Sequence, residues 1–339
     1  MRTRRLGATD LDITPIGFGA WAIGGDGWSY SWGPQDDAHS IHSIHRALEA
    51  GINWIDTAAV YGLGHSEEVV ARALKSWTSA QRPLVFTKCG LLWNDAGKIH
   101  HDLTPASLRR EVEGSLRRLG VERIDLYQIH WPDWDGVATP TDVLVRAWET
   151  LAALKDEGKV RHLGVSNFGV EHMRPLQAIA PIGSLQPPYS LVRRGIEKEL
   201  LPWCHQQGVG VIVYSPLQSG LLSGRMSRER IQALAPSDWR RGAVDFQEPA
   251  LSRNLQFVEQ LRPIASRHGH SVAEVAIAWT LRDPAVTGAI VGARTPQQID
   301  GVVGASELHL TERDLQDIER AIVETRPYSP EGPVAQSAA

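Results

Sequence analysis

Four polar residues, Asp56, Tyr61, Lys88 and His130, stand at or just past the C-terminal ends of separate apolar runs. They supply an acid, a phenol, an amine and an imidazole. A phenol with an ordinary pKa of ~10 is a poor proton donor at neutral pH, so a positive neighbour is needed to favour its anion. Lys88 supplies that charge. Asp56 would hold the lysine ammonium by a charge-assisted hydrogen bond, and His130 could orient an oxygen beside the phenol. The set describes protonation of a carbonyl oxygen, with hydride arriving from elsewhere.

Such a set needs elements that deliver its members to one place. Apolar, β-branched runs occur at residues 14–20, 53–58, 84–90, 124–131, 162–168, 184–189, 210–217 and 289–294, which predicts eight short strands. Helical patterns lie between them; Leu108, Val112, Leu116 and Leu119 form the stripe of a helix packed on a sheet. Thr104-Pro105, Thr139-Pro140 and Thr295-Pro296 each place a capping hydroxyl before a proline suited to the first helical position. Gly51, Gly120, Gly158 and Gly208 mark helix stops just before the next strand. Eight β–α units without a linker or a shift in composition predict one (β/α)8 TIM barrel over residues 1–339, with active-site residues at the strands' C-terminal ends. Two segments stand outside the rhythm: a polar hairpin at 2–13 that could plug the barrel bottom, and a long insertion after the seventh strand at 219–250. A loose tail is expected at 327–339, rich in Pro, Ser and Ala.

Composition narrows the partners. A net charge of −4 with interspersed signs argues against nucleic acid or an anionic membrane, and points to a small-molecule substrate. The basic start leads into no apolar h-region and no run approaches the ~18 apolar residues of a membrane span, so a cytoplasmic protein is expected. Two cysteines, Cys89 and Cys204, are too few for a disulfide framework and read as buried thiols. Of twelve tryptophans, Trp21, Trp28, Trp32, Trp93 and Trp131 fall in expected loops. Trp21, Trp28, Trp93 and Trp131 are the candidate substrate walls, whereas Trp54, Trp77 and Trp148 read as packing.

Two apparent motifs are set aside. Gly17, Gly19 and Ala22 fit a dinucleotide fingerprint, but Gly24, Gly25 and Gly27 break the helix that such a fingerprint must open. His39, His42 and His45 step by about 300° along one helix and span about a third of its circumference, with two of the three expected to face mostly solvent, and no metal-ligand spacing occurs elsewhere, so no metal is expected.

Residues 51–74, 116–130 and 290–294 together resemble the three signature regions of the aldo-keto reductases, and the resemblance runs from Leu6 to about Ala321. Within that family the chain looks like the bacterial branch containing inositol, glycerol and glyceraldehyde oxidoreductases. The resemblance implies a nicotinamide dinucleotide cofactor bound without a Rossmann domain, and Tyr61 as general acid for reduction and base for oxidation. It places Ser166, Asn167 and Gln186 on the carboxamide and Tyr214 under the nicotinamide ring. It sets Ser215, Leu217 and Gly292 along the cofactor, and implies that the run Ser219, Gly220, Leu221, Leu222, Ser223, Gly224 offers main-chain N–H groups to the pyrophosphate. Arg294 and Gln298 fall where the family grips the adenosine end, and an arginine there implies NADP(H) through its 2′-phosphate. Gln298 also completes a capping box from Thr295, so a structural role stays open. Related chains often carry Glu and Asn where this one has Gly301 and Val302.

The expectation is an NADPH-dependent reductase of aldehydes and ketones, reversible toward alcohol oxidation. Two alternatives stand beside it: a polyol or sugar dehydrogenase using mainly NAD, and a cofactor-sensing subunit with little turnover. The complete tetrad disfavours the second, which simple aldehyde turnover would separate from an enzyme.

Overall fold

The computed structural model describes residues 1–77 and 82–329. A hairpin of β1 (Arg4–Arg5) and β2 (Asp12–Ile13) precedes the first barrel strand, β3 (Ile16–Gly19), which is followed by β4 (Trp54–Asp56) and β5 (Leu84–Cys89). A second hairpin, β6 (Leu91–Trp93) and β7 (Ile99–His101), intervenes before β8 (Ile124–Ile129), β9 (Val160–Ser166), β10 (Ser184–Gln186), β11 (Gly210–Val213) and β12 (Val286–Gly292). The eight barrel strands are parallel and close on themselves where β12 pairs with β3, Gly292 opposite Gly19. The architecture is therefore the expected (β/α)8 barrel with helices outside it.

Packing explains the glycines that imitate a dinucleotide fingerprint. A Cβ on Gly17 would lie 2.2 Å from the Trp54 indole, and one on Gly288 would lie 3.0 Å from it. Trp54 fills the lower barrel with Leu6, Leu11, Ile13, Phe86, Leu126 and Ile212, its ring 5.2 Å from that of Phe86. Removal of so large a buried ring costs about 3–5 kcal/mol. Leu6, Leu11 and Ile13 come from the N-terminal hairpin, which thus plugs the bottom, and Gly7 is pressed so closely on Gly208 and Gly210 that no Cβ fits.

The helix Pro105–Leu119 buries Leu108, Val112 and Leu119 with Leu116 beside them, and Thr104 accepts the Ser107 N–H as its cap. Helix Thr141–Asp156 differs from expectation: Pro140, with extended backbone, is the residue before the helix, and the Thr139 N–H is taken by Asp133. β12 begins three residues earlier than its apolar run suggests, because Gly288 is a packing glycine under Trp54 and not a turn. The hairpin of β6 and β7 went unforeseen. Within the tail expected at 327–339, the Tyr328 N–H donates to Asn254 Oδ1, while residues 330–339 lie outside the described residues.

Candidate active site

Parallel pairing brings the C-terminal ends of the strands to one face. Asp56 ends β4, Lys88 lies opposite Gln128 near the end of β5, and His130 follows β8. Ser166 and Gln186 end β9 and β10 in register with each other, and Tyr214 follows β11. Tyr61 reaches the same point from the loop after β4.

The four candidate acid–base residues converge. Lys88 Nζ donates to Asp56 Oδ1 at 2.6 Å, to the Thr57 carbonyl at 2.9 Å and to Tyr61 Oη at 3.3 Å. The three protons of the ammonium are thereby assigned. The Tyr61 and His130 rings meet edge to face, centroids 5.7 Å apart. Asp56 Oδ2 accepts from Gln186 Nε2 at 2.8 Å and from Gln128 Nε2 at 3.5 Å, so both its oxygens are engaged.

Burial dominates the titration of this group. It pushes the Tyr61 phenol well above its ordinary value, and the Asp56 charge adds to the rise. Lys88 was expected to favour the phenolate; the direction is reversed because Asp56 neutralises that ammonium and water is excluded. Burial lowers the Lys88 ammonium against the opposing pull of Asp56, and it drives His130 well below its usual range, helped by the charge of Lys88. At neutral pH the site therefore holds a protonated phenol and an uncharged imidazole.

A cavity of about 570 Å³ runs from this group toward Arg294. Trp21, Trp28 and Trp131 line its catalytic end, together with Tyr30, Trp134 and Leu91. Trp93 is not among the lining residues; its ring instead faces the Arg118 guanidinium, 5.9 Å from the ring centroid. Trp134 and Tyr30 were missed, since only tertiary contact brings their rings to 6.5 Å across the mouth.

Along the other half of the cavity lie Tyr214, Ser215, Leu217, Ser219, Gly220, Ser223, Gly292 and Gln298. Leu221 turns away into a small core with Ile231 and Phe246. Of the main-chain donors expected at 219–224, four are already taken. The N–H groups of Gly220, Leu221, Leu222 and Ser223 bond to the carbonyls of Leu217, Gln218, Leu217 and Gly220, because the run winds into a tight turn. Side chains supply the positive character instead: Arg225, Arg230, Arg240 and Arg294 line the cavity, whereas Asp56 is the one lining carboxylate among the described residues.

Arg294 is already engaged. Its guanidinium donates to Gln35 Oε1 at 2.7 Å, to the Trp32 carbonyl at 2.9 Å and to the Pro34 carbonyl. Gln298 Oε1 accepts the Arg294 N–H at 2.7 Å, while the Thr295 hydroxyl forms no cap bond, so Gln298 braces the backbone at residue 294. The loop holding Trp32 also meets the 219–250 insertion: the Trp239 N–H donates to the Ser31 carbonyl, Trp239 stacks on Trp21 at 5.5 Å, and Arg240 lies 4.4 Å over the Trp32 ring. Two segments distant in sequence thus arch together over the groove. No sequence periodicity signals such an arch.

No helix among the described residues is long and apolar enough to cross a membrane. The model of the aldo/keto reductase family matches residues 15–323. The aldo-keto reductase YhdN of Bacillus subtilis is 36% identical over 334 residues, covering 98% of this chain and 97% of the relative. The NADH-specific methylglyoxal reductase of Escherichia coli is 35% identical over 324 residues, covering 93% of this chain and 96% of the relative. Among solved structures, a glycerol dehydrogenase of Gluconobacter oxydans is similar at 39% identity and a TM-score of 0.84, with 98% of each chain covered. With barrel, tetrad and full-length similarity in agreement, the chain is a member of the aldo/keto reductase family of carbonyl and polyol oxidoreductases.

Proposed function

We propose that the protein reduces aldehydes and ketones to alcohols with NADPH, reversibly, and that Tyr61 is its general acid. The observation that carries this reading is the shared ammonium: Lys88 donates at once to Asp56 and to Tyr61 Oη. The dinucleotide fits the residues present, for the groove offers an aromatic face at Tyr214 beyond the tetrad and four arginines farther on. Ser166, Gln186 and Tyr214 would hold its nicotinamide end, with the Asn167 amide bonded to Tyr214 and Ser166 beside them, and Ser219, Ser223, Arg240, Arg294 and Gln298 the remainder. When bound, the cofactor supplies the hydride.

The chain's own residues handle the proton. Tyr61 donates from Oη to the substrate oxygen, and the negative charge left on the phenolate is met by the Lys88 ammonium already pointing at it. Asp56 and the Thr57 carbonyl keep that ammonium from turning away. His130, uncharged, offers a ring N–H to the same oxygen. Trp21, Trp28 and Trp131 exclude water from the reacting oxygen, which strengthens each of these interactions.

Arg294 supports the phosphorylated cofactor because its three partners are neutral, leaving a full positive charge for a 2′-phosphate. A second reading, polyol oxidation with NAD, draws on the same contacts: a phosphate would have to compete with loop acceptors already in place. The Escherichia coli relative, an NADH-specific methylglyoxal reductase, supports the cofactor half of this reading, and the Gluconobacter oxydans glycerol dehydrogenase supports its polyol half. A screen of short hydroxyaldehydes, aromatic aldehydes and polyols with both nicotinamide forms separates the two. NADPH-linked aldehyde reduction should give the largest kcat/KM; preference for NAD with polyols would replace the first reading by the second.

A further inference from the structure

Asn167 occupies the gap between the two halves of the site. Its backbone sits at φ 65°, a left-handed conformation that asparagine tolerates better than most residues. Its side chain spans two strands' worth of barrel. Oδ1 accepts from Tyr214 Oη at 2.8 Å, and Nδ2 donates to the His130 carbonyl at 3.0 Å and to Ser166 Oγ at 3.1 Å. Its own N–H goes to the Gln186 carbonyl at 3.1 Å, which also accepts from Ser166 Oγ at 2.9 Å.

We infer that Asn167 is a positioning residue that ties the Tyr214 platform to His130 and so sets the gap across which hydride moves. This inference rests on the nicotinamide reading given above. The physical reason is one of leverage. Tyr214 follows β11 and His130 follows β8, with β9 and β10 between them in the ring. The hydride donor would lie against the first residue and the acceptor carbonyl against the second, so their separation would be only as well defined as the link between these two loops. Hydrogen bonds within 3.0 Å on either side of one planar amide make that link short and stiff. Both amide atoms of Asn167 are engaged within the protein, which leaves Gln186 Oε1 as the acceptor better placed for the carboxamide.

A double-mutant cycle tests the tie. Tyr214→Phe deletes the hydroxyl and keeps the ring; Asn167→Gly removes the amide at a position where glycine accepts the backbone without strain. Each single variant should slow single-turnover hydride transfer roughly tenfold, short of the ~10²-fold that a full ångström of misplacement costs. The double variant should be no slower than either single one, the isotope effect with 4-deuterated NADPH should rise in all three, and the cofactor Kd should stay within about twofold. Asn167→Ser, which retains a short hydrogen-bonding group, gives a second reading if the glycine variant does not fold, and should fall between wild type and Tyr214→Phe. Additive losses with weakened cofactor binding, or a Tyr214→Phe variant with wild-type hydride transfer, would overturn the tie while leaving the function standing. A wild-type protein that neither binds nor oxidises either reduced nicotinamide would overturn the function itself.

Discussion

Lys88 and Asp56 form an ion pair at 2.6 Å with side chains 0% and 3% exposed. Two charges taken this far out of water gain little net stability over an apolar pair, so the pair is better explained by what it holds in place. Its third proton is directed at Tyr61. Burial, and after it the Asp56 charge, keeps the proton on the Tyr61 phenol.

Breaking the pair on one side strands the other charge. Lys88→Met should lower stability by about 3–5 kcal/mol and abolish most turnover, since the uncompensated Asp56 remains buried. Lys88→Met combined with Asp56→Leu should recover much of the stability and none of the activity. Paired thermal melts and rate measurements check this; restored activity in the double variant would count against the assigned roles.

Glu111 provides a pH-dependent test of stability. Burial raises its carboxyl to about 8, opposed by the Gly90 N–H that donates to it at 2.8 Å. An unfolded glutamate titrates near ~4.3, so the native state holds the extra proton and stability should fall as pH rises from about 4.5 to about 8, by an amount on the order of a few kcal/mol. Glu111→Gln should remove most of that slope and stabilise the protein above neutral pH. Melting temperature against pH for both proteins gives the comparison, and parallel curves would contradict it.

The adenosine end has its own test. Arg294→Ala should weaken NADPH binding by ~10-fold or more and NADH binding far less. It also frees the 32–35 loop from its three contacts, so Gln35→Ala serves as the control for loop effects alone. Fluorescence quenching with both cofactors reads the difference; equal losses for the two would refute recognition of the 2′-phosphate.

Much of this was legible in the sequence, for a physical reason. Strand ends in a parallel barrel converge whatever the loops do, so Asp56, Lys88, His130, Ser166, Gln186 and Tyr214 could be placed by counting apolar runs. Tyr61 followed from its short distance to Asp56. The pKa of Tyr61 could not be placed this way, because it depends on how completely burial and Asp56 cancel Lys88. Loop geometry was equally hidden. Trp93 packed toward Arg118 on a hairpin whose Asn94–Gly97 turn signal was not read as one, Leu221 turned into a satellite core, and the main-chain donors at 220–223 were consumed by their own turn.

The two tryptophans make that distinction testable. Trp131, 5% exposed in the cavity wall, should raise KM for aromatic aldehydes when changed to alanine, by roughly 10-fold or more. Trp93→Ala should leave KM near wild type. Steady-state kinetics on both variants decides it, and a larger KM change for Trp93 would place the substrate elsewhere.

The central claim is that Tyr61 delivers the proton, and stopped-flow reduction of a reactive aldehyde by Tyr61→Phe measures it most directly. The variant should still quench on adding NADPH, with an affinity near wild type, while reduction falls by ~10³-fold or more. A Tyr61→Phe protein that reduces the aldehyde at the wild-type rate would contradict the account.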